Sequence, residues 1–147
     1  MSNPAVLHKI LTIREQEKND AQKEQISARK YFEKVATQLY NALKTKEEAE
    51  QTLENYMKTK AAIDKIKEQS QYIDLLNKNI ITLQVKVQQA RQEMEFKQKV
   101  LTEAHIEMKK IEKMIERREK EQKELNEKLQ MNLMDEISIR QFQSQNR

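Results

Sequence analysis

The 147 residues include no Gly, no Cys and one Pro, and 35% of them are charged against 37% hydrophobic. These counts exclude Gly-built phosphate loops, disulfide scaffolds and Cys-based metal sites. With a mean hydropathy of -0.99, too little apolar material remains for a thick core, and a chain built mainly of Lys, Glu, Gln, Leu, Ala and Ile is expected to form long helices or coiled coils.

In chain order, Asn3 followed by Pro4 marks a helix start, because Pro fits the first helical position. A helix is predicted over about 4–57. Its apolar residues fall in an alternating three-and-four frame: Leu7, Leu11, Ala21, Ala28, Phe32, Val35, Leu39, Ala42, Ala49, Leu53, Tyr56 and Ile63. Arg14, Lys18, Gln25, Lys46 and Lys60 occupy the same frame, and the small Ala residues suit close approach of a partner helix. A turn is predicted at about 58–66, inside KTKAAIDKIKEQS, where the frame slips by one residue. A second helix follows over about 67–140, then a short tail, 141–147. Its frame runs Ile73, Leu76, Ile80, Leu83, Val87, Ala90, Met94, then Leu101, Ala104, Met108, Ile111, Ile115, and finally Leu125 and Leu129, with Lys97, Arg118 and Gln122 as polar interruptions. The predicted architecture is all-α: a single domain, a long antiparallel two-helix coiled-coil hairpin with a protruding C-terminal helix end. The alternative is one continuous helix of about 200 Å pairing with another copy.

With the turn centred near residue 62, Leu7 lies opposite roughly residue 117, and everything past about 122 has no partner arm. That overhang holds Leu125, Leu129, Met131, Leu133, Met134, Ile137, Ile139 and Phe142, an apolar set expected to stay wet until something docks on it. Beside the turn, Tyr72, Leu76, Asn79 and Leu83 form a stripe in which the two Leu are expected to be buried and Tyr72 and Asn79 to flank them.

No catalytic constellation is found. His8 and His105 are too few and too scattered for a metal site, and a two-helix chain offers no pocket to shift a carboxylate pKa. No cofactor is expected. The formal charge of +4 comes from 28 basic residues interleaved with 24 acidic ones. The stretch KKIEKMIERREKEQKELNEK contains no aromatic residue to stack a base, so nucleic acid is not an expected partner. Within it Glu116–Lys120, Glu119–Lys123 and Glu124–Lys128 are read as exposed ion pairs. No apolar run is long enough to enter a membrane, and the run from Pro4 to Leu7 is too short for a secretory signal, so a cytoplasmic protein is expected.

The segment MDEISIRQF at 134–142, together with SQYIDLLNKNI after the turn, resembles the FliJ family of flagellar type III export proteins. The resemblance implies a non-enzymatic, rotary-ATPase-stalk-like coiled coil, peripheral to the cell membrane at the flagellar base. It implies that the free helix ends (Leu7, Leu11, Met134, Ile137, Ile139, Phe142) enter the export ATPase ring. The turn end (Tyr72, Leu76, Asn79, Leu83) would face the cytoplasmic domain of the export gate, and export chaperones would be further partners. The stalk of another rotary ATPase, a holding chaperone and a homodimeric tether share this architecture and stay open as alternatives.

Overall fold

A computed structural model describes residues 4–146. It contains α1 (Pro4–Lys58) and α2 (Ile63–Gln145), joined by residues 59–62 and packed on each other as a helical hairpin. With no Gly and its one Pro at the first helical position, α1 has nothing to break it. Thr12, Thr37, Thr45 and Thr52 each return their hydroxyl to the carbonyl four residues back, which gives these β-branched residues a local partner inside the helix.

Two compact units make up the fold. The first, Asn19–Thr102, contains the connection and both adjoining arms. Three cross-helix interactions fix its register: Lys97 with Glu24, Arg91 over the Phe32 ring, and Gln69 Nε2 donating to the Ala49 carbonyl at 3.0 Å. Facing residue numbers therefore add to about 122, which brings each a position of one helix against a d position of the other, as an antiparallel coiled coil requires. By that register Val35 meets Val87, Leu39 meets Leu83, Ala49 meets Ile73 and Ala42 meets Ile80. Phe32 meets Ala90, and Ala28 meets Met94. Small residues on one helix face large ones on the other, which evens the volume along the seam. Val35, Ala49, Ile73, Ile80, Leu83 and Ala90 are buried, while most charged residues are exposed.

The connection is tighter than the segment 58–66 expected for it. The Ala61 N–H donates to the Tyr56 carbonyl at 2.9 Å and the Lys60 N–H to the Met57 carbonyl at 3.4 Å, with Lys60 at φ 53°. This is a Schellman cap, in which a left-handed residue closes the last turn, here with Lys where Gly is usual. The Ala62 carbonyl then accepts from Lys65 and Ile66, so Ala62 is the N-cap and Ile63 the first residue of α2. Ile63, assigned to the first seam by its spacing, is therefore 81% exposed, because the frame of α1 ends with the helix before it. At its other end α2 stays helical to Gln145, through most of the segment expected as a tail.

The second unit comprises residues 4–18 and 103–146. Within this unit the pairing is again a to d, Leu7 against Ile115 and Leu11 against Ile111, with Leu7, Met108 and Ile115 buried. Arg14 occupies a seam position and directs its guanidinium to Glu17 at 3.0 Å, leaving its Nε buried without a hydrogen-bond partner. Among the described residues, the ion pairs within 4.0 Å in this part of α2 are Lys109–Glu112 and Lys110–Glu107. The pairs expected at Glu116–Lys120, Glu119–Lys123 and Glu124–Lys128 do not close, since exposed, well-solvated side chains gain little by holding one geometry.

Candidate functional site

Every described residue of α2 from Glu119 onward is exposed. The register explains where this begins. Pro4, the first described residue of α1, faces about residue 118, so the seam of α2 continues past its cover. Leu129 holds the heptad position of the buried Met108 and Ile115, and Leu125 that of the half-buried Ile111, yet they are 57% and 51% exposed. Around them Met131, Leu133, Met134, Ile137, Ile139 and Phe142 spread over several faces of one helix, all exposed. Each would contribute about 1.5 to 3 kcal/mol on full burial. The segment can therefore bind by burying apolar surface, and it carries Asp135, Glu136 and Arg140 as its charged punctuation.

Leu7 and Leu11, the N-terminal members of the set expected to face a ring, are occupied by the seam: Leu7 is 2% exposed and Leu11 half-buried. The large apolar residues that α1 does expose beside them are Val6 and Ile13. Where α1 begins over α2, a groove of about 570 Å³ opens, lined by Pro4, Leu7 and His8 from α1 and by Ile115, Arg118 and Gln122 from α2, among others. It runs directly into the uncovered seam.

In the turn-containing unit, the stripe expected to face the gate divides as its spacing implies. Leu83 is buried, Leu76 half-buried, and Tyr72 and Asn79 are exposed. Leu75, beside Tyr72 and more exposed than it, was missed because it stands outside the seam frame; the same helical wheel that places Tyr72 places Leu75 on its solvent side. Tyr40 and Ile81 were missed as well. Both are exposed, and the register places them at one level on the other side of the seam.

Among the described residues no group of three or more His, Cys, Asp or Glu is arranged to hold a metal ion, and no helix is long and apolar enough to cross a membrane.

Comparison with known proteins agrees in family and extent. Residues 4–147 match the family described as Flagellar FliJ protein. A Flagellar FliJ protein of Bacillus subtilis (strain 168) is 35% identical over 137 residues, covering 93% of this chain and 93% of that one. No solved structure matches.

Proposed function

Since the chain belongs to the FliJ family of flagellar proteins, we propose that it is a non-enzymatic stalk and escort component of flagellar type III export. In this reading the exposed C-terminal part of α2 docks into the export ATPase ring through Met134, Ile137, Ile139 and Phe142. The N-terminal turn of α1, with Leu7 and Leu11 in its seam, braces the base of that segment. Tyr72, Leu76, Asn79 and Leu83 contact the cytoplasmic domain of the export gate, and export chaperones are further partners. The protein works at the cytoplasmic face of the cell membrane without inserting into it. ATP chemistry belongs to the ring.

The observation that supports this most directly is the exposed helix from Glu119 to Gln145, whose apolar residues stay open to solvent among the described residues. A monomeric protein does not keep so many large apolar side chains wet along one helix without a use for them.

The test is turnover of the export ATPase with and without this protein. Deleting residues 133–147 removes the docking residues while leaving every seam layer in place, so stimulation is expected to vanish with helicity by circular dichroism nearly unchanged. Stimulation that survives the deletion refutes the docking reading.

A further inference from the structure

We propose that, in the free protein, the uncovered end of α2 is covered by the same segment of a second copy, the two running antiparallel with Leu133 at the two-fold axis. The proposal concerns the protein alone and does not rest on docking to a ring.

It starts from continuity with the seam already formed. The a and d positions that α1 covers as far as Arg118 continue uncovered through Gln122, Leu125, Leu129, Asn132, Glu136 and Ile139. A helix placed on them must run antiparallel to α2 and bring a against d, as α1 does. A second copy supplies such a helix, because its own frame over these residues is equally bare.

Registers one heptad apart can be compared by what they bring together. In the closest, Leu125 faces Leu129, but the residues of the second copy beyond Glu136 then enter the space over Ile115 that Leu7 fills. In the next, Leu125 faces Glu136 and Leu129 faces Asn132, so the leucines meet polar groups. In the third, Leu129 faces Ile139 twice by symmetry, Asn132 faces Glu136 twice, and Leu125 faces Gln143. The amide of Asn132 can donate to the Glu136 carboxylate. One step further out, Glu136 faces Ile139 and the leucine layers are gone. Only the third register joins the apolar layers without meeting α1.

The flanks agree with it. On one side Leu133 meets its own copy across the axis, which gives this exposed leucine a partner. On the other, Asp135 approaches its copy while Lys128 of each chain reaches toward Asp135 of the other, so two carboxylates face two ammonium groups. Met134, on the outermost position of the same turn, points away from the pair. Few apolar layers and an acidic centre make this a weak, reversible pairing, one a stronger partner for the same segment displaces.

The absence of Cys from the sequence makes the test direct. Leu133→Cys and Met134→Cys variants of the full chain are treated with a short bismaleimide (spacer of about 8 Å) at equal concentration, after circular dichroism shows equal helicity. Across helices packed about 8–10 Å apart the two β-carbons at the flanking position 133 lie about 8 Å from each other, within reach of a short bismaleimide, whereas at 134 they stand on opposite outer faces. The expected result is a cross-linked dimer of Leu133→Cys in at least about tenfold excess over Met134→Cys, lost when Leu129→Glu is added. Equal yields at the two positions, or no dimer at 133, overturn the proposal. The ATPase assay is run separately, so either reading can fail without the other.

Discussion

Lys97 extends its ammonium to the Glu24 carboxylate at 3.0 Å, in the layer where its own seam position faces the buried Gln25. One layer of the Asn19–Thr102 unit is thus polar on both helices, and Glu93, 3.8 Å away, adds a second carboxylate to the same ammonium. Hydrogen bonding to Glu24, then its charge, hold the Lys97 pKa above the ordinary lysine value of 10.5, against a smaller opposing effect of burial. A raised lysine pKa stabilises the fold fully below 10.5 and loses that contribution as pH rises through the folded-state value. The stability difference between the wild type and Glu24→Gln, measured by urea denaturation, should therefore be constant from neutral pH to the lysine range and shrink above it. A difference that grows in alkali would contradict the pairing.

Phe32 and Ala90 occupy one layer, the large side chain filling the space the small one leaves. Phe32→Ala should cost about 3 kcal/mol, since the cavity opens against another Ala. Ala90→Phe alone should cost about 1 to 3 kcal/mol by overpacking. The double exchange restores one large and one small residue, so it should be more stable than the sum of the single changes by over about 1 kcal/mol. Additive losses would mean that the two residues do not share a layer.

Lys60 holds a left-handed conformation at φ 53°, which a side chain with a β-carbon adopts at a cost. Lys60→Gly should stabilise the hairpin by about 0.5 to 1 kcal/mol, the strain removed exceeding the extra freedom that Gly gives the unfolded chain. Lys60→Val should destabilise it by more than about 1 kcal/mol, because a branched β-carbon fits that region worst. Thermal melts of the three proteins check the order Gly, Lys, Val.

These cases separate what the sequence makes legible from what it hides. The seam is legible because layers repeat: Leu39, Ala42, Ile80 and Leu83 announce a frame that needs no tertiary information. The reversal of the chain was legible only as a one-residue slip in that frame, because the two residues that execute it, Lys60 and Ala62, are neither the Gly nor the Ser, Thr, Asp or Asn by which caps are usually recognised. Exposure of Met134, Ile137, Ile139 and Phe142 follows from the register alone. Leu7 and Leu11 could not be divided from them by spacing, since a seam leucine near a helix start reads the same whether covered or bare. Only the level of Ile115 against Leu7 decides it.

Leu7 and Leu129 make the sharpest contrast, two leucines on one continuous pattern with opposite surroundings. Leu7 is 2% exposed against Ile115, while Leu129 is 57% exposed with no helix across from it. Removing the side chain at position 7 leaves a cavity beneath the first turns of α1, so Leu7→Ala should lower stability by about 2 to 3 kcal/mol. The same truncation at position 129 only reduces apolar surface already in water, so Leu129→Ala should stay within about 0.5 kcal/mol of the wild type at concentrations where the chain is monomeric. Urea denaturation followed by circular dichroism reads both. Equal losses would mean that the seam over Leu129 is covered within the single chain. A loss at 129 that appears only as protein concentration rises would instead mark a second copy as the cover, because a partner supplied from solution stabilises by mass action and a covalently attached one does not.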